Sequence, residues 1–175
     1  VCALVSTVVK QVESLPSGLP DGEVCMKSVY GTYIRNANAG MDSKEVGLAA
    51  HCEPWSFSDG VDGMISIRTA CPPSNQYLCA IWDGRIRMGD SRTYGKSAWQ
   101  PRKNQDGAWS FVMVDRDIKW WLIVSADTNG TVYTRADGND KESNFWIQSP
   151  IDAWSANPPP SSELSCTAGT GGEND

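Results

Sequence analysis

The hydrophobic and polar positions of this chain are most regular between Trp121 and Trp146. Leu122-Ile123-Val124 leads into Asp127-Thr128-Asn129-Gly130 and out again through Thr131-Val132-Tyr133-Thr134. Asn-Gly between β-branched and aromatic runs predicts a tight β-hairpin. A polar stretch follows, and the segment closes on Phe145-Trp146-Ile147.

The same plan occurs twice more. Tyr77-Leu78-Cys79-Ala80 leads to Asp83-Gly84, then to Arg85-Ile86-Arg87-Met88 and a polar stretch ending at Trp99. Tyr33-Ile34-Arg35-Asn36 leads to Asn38-Ala39-Gly40 and a polar stretch ending at Trp55. Aromatic openers at 33, 77 and 121 are spaced 44 and 44, and turn glycines at 40, 84 and 130 are spaced 44 and 46. Closing tryptophans at 55, 99 and 146 are spaced 44 and 47. Three landmarks holding one period define three internal repeats, with one short insertion in the third. Each repeat has a further strand signal before its opener: Val24–Ser28, Met64–Arg68 and Trp109–Met113.

Four short strands in about 44 residues, three times over, predict an all-β chain with the layout of a β-trefoil, in which six strands close a barrel and six cap one end. Tyr33, Trp55, Tyr77, Trp99, Trp121 and Trp146 are the repeated core positions on this reading. The string Tyr77-Leu78-x-Ala80, Gly84-x-Ile86 and Trp99, echoed in Leu122, Gly130-x-Val132 and Trp146-Ile147, resembles the fascin-like (actin-crosslinking-like) branch of β-trefoils over residues 22–150. The resemblance implies a fold more than an activity, since trefoils host lectins, cytokines, protease inhibitors and actin bundlers. The Gln-x-Trp closing motif of ricin-type trefoil lectins is replaced here by Glu53-Pro54-Trp55, Ser97-Ala98-Trp99 and Asn144-Phe145-Trp146.

The repeats run over about 22–57, 62–103 and 107–150. Before them, Leu4, Val8, Val12 and Leu15 keep helical spacing until Pro16, which predicts a short N-terminal helix in an appendage spanning 1–21. After them, residues 151–175 read as a flexible, Pro/Gly/Ser-rich acidic tail. The sequence opens on Val1, which reads as the start of a processed chain.

Composition changes the picture in two ways. Six cysteines in a small β-rich chain favour disulfides and a secreted, extracellular protein over buried thiols. Of the fifteen possible pairings, one set joins Cys25 to Cys52 across repeat one and Cys71 to Cys79 at hairpin-like spacing, and leaves Cys2 and Cys166, one in each appendage, to tie the ends. Charge is also uneven. The net charge is −6, yet residues 68–103 hold seven bases (Arg68, Arg85, Arg87, Arg92, Lys96, Arg102, Lys103) against Asp83 and Asp90. These seven are the candidate binding residues for an acidic protein partner or for self-assembly; their plainer role is a solvated strand face. A net-acidic, disulfide-prone chain is a poor nucleic-acid binder, and no apolar run is long enough for a membrane span.

Asn129-Gly130-Thr131 is an N-glycosylation triplet at a hairpin tip, although Asn-Gly also serves the turn itself. No catalytic motif, metal-ligand spacing or cofactor cradle is present in the sequence, and the single histidine, His51, neighbours Cys52 on a strand, where the two side chains diverge. The expected function is therefore non-enzymatic, without metal or cofactor. The leading reading is a secreted protein-binding scaffold of an extracellular matrix, fibre or biomineral-associated assembly. A carbohydrate-binding lectin-like trefoil is the alternative. Third comes a trefoil protease inhibitor presenting Thr93–Ser97 or Arg102-Lys103-Asn104 as bait.

Overall fold

The computed structural model describes residues 15, 18–36, 46–71, 76–81, 84–89, 97–114, 121–136 and 140–160. The expected N-terminal helix and the distal tail lie outside them. The described chain is mostly β. Its strands are β1 (Glu23–Ser28), β2 (Tyr33–Asn36), β3 (Val46–Ala49), β4 (Trp55–Asp59), β5 (Ile65–Thr69), β6 (Tyr77–Ala80), β7 (Ile86–Gly89), β8 (Gln100–Lys103), β9 (Trp109–Val114), β10 (Trp121–Ala126), β11 (Val132–Ala136) and β12 (Phe145–Gln148). One helix, α1 (Pro150–Ala156), follows.

All strand pairings are antiparallel. Strand β1 lies between β12 and β4, β4 pairs with β5, and β9 lies between β8 and β12. A single bridge, Ile65 to Trp99, links β5 to the start of β8, with backbone bonds of 2.7 and 2.8 Å. The hairpins β2–β3, β6–β7 and β10–β11 branch from this set and converge. Gly84 C=O accepts from Thr134 N (2.7 Å), and Gly130 C=O accepts from Leu48 N (2.9 Å). The turn of β6–β7 thus docks on β11, and the turn of β10–β11 docks on β3.

Alternation along the strands decides what is buried. Leu78, Ala80, Ile86 and Met88 face the core from β6–β7, and Val124, Ala126 and Val132 do so from β10–β11. Between the other strands, Phe111 stacks against Phe57 and Phe145 at centroid distances of 5.8 and 6.4 Å. Burying each such side chain contributes about 1.5–3 kcal/mol. Leu19, from the connector that the sequence presents only as turn-rich, is fully buried in the same core.

Trp55 and Trp99 are buried completely, as their period predicts. Each indole Nε1–H donates to a backbone carbonyl 21 residues upstream: Trp55 to Ile34 (2.9 Å) and Trp99 to Leu78 (3.0 Å). The third closing residue differs from the expectation. Trp55 pairs with Val24, Trp99 with Ile65, and the matching partner of Trp109 is Phe145, which is fully buried. Trp146 points the other way and is half-buried. Phe145 is 46 residues past Trp99, the same spacing as Gly84 to Gly130, so 47 is the outlier. One residue of slip exchanges the two faces of a strand. Tyr77 is likewise half-buried, while Tyr33 is buried. The side chain of Trp121 lies outside the description, and the register gives the Tyr77 position of the third repeat to Ile123 instead: Tyr77–Gly89 and Ile123–Arg135 are equivalent pairs.

Two further corrections concern the ends and the cysteines. The segment read as the start of a flexible tail forms α1, with Pro150 at its first turn. Asp152 N donates to the Ser149 hydroxyl (3.1 Å), which caps the helix. Ala153 and Trp154 pack over Cys25, Cys52 and Tyr33, and Trp154 Nε1–H donates to Cys52 O (3.3 Å). Cys25 and Cys52 form a disulfide. Cys71 is also disulfide-bonded, but not to Cys79, whose thiol donates to Tyr77 O at 3.4 Å. The register explains the difference: with Arg68 opposite Tyr77, Cys79 falls opposite Ser66, five residues before Cys71. The partner of Cys71, like Cys2 and Cys166, lies outside the described residues.

Candidate functional site

The structure separates the basic residues that the sequence gathers between 68 and 103. Arg68 is exposed on β5, and its Nε–H donates to Ser56 Oγ (3.4 Å). From the antiparallel bridge Ile65–Trp99, Arg68 lies three residues along β5 and Lys103 four residues along β8, in opposite directions. Seven residue steps along strands set them roughly 20 Å apart. Arg102 and Lys103 are held in the ladder with β9, opposite Ser110 and Trp109, and the Lys103 ammonium stands 5.5 Å from the Trp109 ring centroid. Asn104 is fixed by bonds to Ser110 Oγ (3.2 Å) and Asn144 Oδ1 (2.6 Å). Arg102-Lys103-Asn104 is therefore a strand and its tethered end, not a protruding bait. Arg92 and Lys96 lie outside the described residues.

Arg85 and Arg87 remain together. Ile86 and Met88 alternate into the core, so the two arginines share the outward face of β7. Arg85 is exposed where it bridges to Tyr133 of β11. Arg87 sits opposite Cys79 and is half-buried; its Nε is buried and has no hydrogen-bond partner among the described residues. A buried donor without an acceptor is costly and uncommon.

A second surface group was not visible in the sequence, because it is assembled from three separate turns and strands. The register Ser28–Phe145 places the turn after β1 beside the 3-10 turn Lys141–Ser143. Ser143 Oγ bonds Ser125 Oγ (2.7 Å), and Ser125 faces Tyr133. Tyr30, Tyr133, Glu142 and Asp127 are thus neighbours. The Tyr30 phenol is raised above its ordinary value by desolvation, then by the charges of Glu142, Tyr133 and Asp127. Asp127 Oδ1 already accepts the N–H groups of Asn129 and Thr131, at 2.9 Å each.

Other polar groups serve the fold. Glu53 is 7 % exposed, where it accepts from Asn36 N (3.2 Å) and Thr69 Oγ1 (3.1 Å) and lies 3.9 Å from Arg35 Nε. His51 Nδ1 lies 3.5 Å from Asn157 O, beyond the disulfide that occupies Cys52. Among the described residues, no three of His, Cys, Asp and Glu converge in a way that would hold a metal ion, and no helix is long and apolar enough to cross a membrane. No protein-family model matches the chain, and no curated protein shows significant similarity to it.

Proposed function

We propose that the chain is a fascin-like β-trefoil acting as a secreted, non-enzymatic protein-binding scaffold, and that it takes an acidic partner on the outward face of β7. Support for the trefoil comes from three matching pairs, Val24–Trp55, Ile65–Trp99 and Trp109–Phe145, and from hairpins that dock turn against neighbour. The Cys25–Cys52 disulfide favours an oxidising compartment.

The observation that carries the partner reading is the outward face of β7, where exposed Arg85 and half-buried Arg87 stand two residues apart on one side of the strand. A carboxylate docking on this face would meet two guanidinium groups, whose N–H donors make charge-assisted bonds to carboxylates. The test is affinity capture from the native extracellular material, comparing the wild-type chain with an Arg85→Glu/Arg87→Glu variant. One dominant acidic protein, released by added salt and lost from the variant, is the expected result. Equal capture by both chains rejects the reading.

Carbohydrate binding is the second reading, favoured by Tyr30 and Tyr133 beside Glu142. Aromatic faces flanked by carboxylates suit sugar rings and hydroxyls. It would appear as retention on a glycan column that free sugar reverses and Tyr30→Ala/Tyr133→Ala abolishes.

A further inference from the structure

We propose that Asn129 is an N-glycan acceptor whose glycan stands at the junction of hairpin β10–β11 with β3. The triplet Asn129-Gly130-Thr131 states only that the chemistry is permitted. The fold supplies the rest. Asn129 and Thr131 are both exposed, and no described residue comes within 4 Å of the position a Cβ would take on Gly130.

The turn does not need an asparagine at 129. Gly130 takes the positive φ, +85°, whereas Asn129 is not among the described non-glycine residues with positive φ. The side chain that fastens the turn is Asp127, which accepts the N–H groups of Asn129 and Thr131. The corresponding turn of β6–β7, with Gly84 at φ +83°, has Asp83 in the place of Asn129. Among the described residues, the Asn129 amide and the Thr131 hydroxyl make no hydrogen bond; the bonds at this turn use their backbone N–H groups. The Cys25–Cys52 disulfide favours an oxidising compartment, and N-glycans are added in such a compartment. The inference rests on the secretory part of the proposed function.

The donor is an oligosaccharide linked to a lipid pyrophosphate. Asn129 Nδ2 attacks the anomeric carbon, an N–C bond forms, and the C–O bond to the pyrophosphate breaks. The lipid pyrophosphate leaves with the electron pair, and the amide proton passes to a base of the transferase. Because Leu48 N donates to Gly130 O at 2.9 Å and Gly47 bridges Thr131, the tip is pinned against β3 and the glycan is anchored to a fixed surface.

The full chain, routed by an added leader through eukaryotic secretory cells, tests this by peptide mapping before and after peptide-N-glycosidase. Cys25–Cys52 in the same map reports folding. The expected result is a glycan on Asn129, lost in Asn129→Gln and Thr131→Ala and retained in Thr131→Ser. A secreted chain with Cys25–Cys52 formed and Asn129 unmodified overturns the proposal. That outcome does not touch partner binding, which the Arg85→Glu/Arg87→Glu comparison reads on enzymatically deglycosylated chain.

Discussion

Replacing Trp99 with Phe should cost several times as much as replacing Trp146 with Phe, although both residues close a repeat in the sequence. Trp99 is fully buried and its indole N–H donates to Leu78 O at 3.0 Å. Removing the donor leaves a buried carbonyl short of one partner, about 1–3 kcal/mol. Phenylalanine is smaller by about 40 Å³, and at about 24 cal/mol per Å³ an uncollapsed cavity of that size adds about 1 kcal/mol. The sum is about 2–4 kcal/mol. Trp146 is half-buried, on the face of β12 opposite to Phe145. Trimming it leaves no sealed cavity and should cost below about 1 kcal/mol. Urea unfolding followed by far-UV circular dichroism separates the two. With an m-value of about 2–3 kcal/mol/M, the Trp99 variant should lose about 1 M in midpoint and the Trp146 variant a few tenths. Phe145→Ala should fall with the severe class, about 3–5 kcal/mol. If Trp146→Phe proves as costly as Trp99→Phe while Phe145→Ala is mild, β12 is registered one residue away from the pairing Phe145–Trp109, and the core assignment of the third repeat fails.

Further outcomes follow from named contacts. Cys25→Ala/Cys52→Ala opens a cross-link of sequence separation 27 and should lose about 3.5 kcal/mol by the chain-entropy relation, read as a fall in thermal midpoint; a change below about 1 kcal/mol would mean the unfolded chain already keeps these strands together. Tyr33 is buried, and burial raises its phenol above the ordinary value of 10.0. Its contribution is therefore complete below pH 10 and declines as pH rises above it, because the unfolded chain ionises first. Tyr33→Phe should flatten the alkaline loss of stability, and an unchanged slope would contradict the burial. Glu53→Ala should cost about 1–3 kcal/mol by removing the acceptor of Asn36 N–H, while the Thr69 hydroxyl keeps Cys71 O at 3.5 Å; Glu53→Gln, which keeps an acceptor, should cost less than half of that. Equal losses would show that charge, not hydrogen bonding, is what Glu53 supplies.

The period of about 44 was legible because core positions recur wherever the same pairings recur, and Trp55 and Trp99 carry both the period and the hydrogen bonds. The third repeat was misread for a physical reason. Its core residue, Phe145, stands directly before a second large aromatic, and composition alone does not say which of two neighbours on a strand faces inward. Pairing does. Once Phe145 is aligned with Trp99, the hairpin registers Ala80–Ile86 and Ala126–Val132 are 46 apart on both strands, while Ile65 and Trp109 keep 44. The two-residue insertion therefore falls wholly between β9 and β10. Charge fared worse than hydrophobicity, because proximity in sequence does not survive antiparallel pairing: Arg68 and Lys103 leave one bridge in opposite directions. Arg85 and Arg87 stay together only because period two puts them on one face of one strand. The group around Tyr30 and Tyr133 lies beyond any local pattern, since a turn, a hairpin and a 3-10 turn from distant parts of the chain must first be stitched by Ser28–Phe145 and Ser125–Ser143. Sequence thus speaks for surfaces carried by a single strand and is silent about those made by register. The β7 face and the Asn129 tip belong to the first kind, and the tyrosine group to the second.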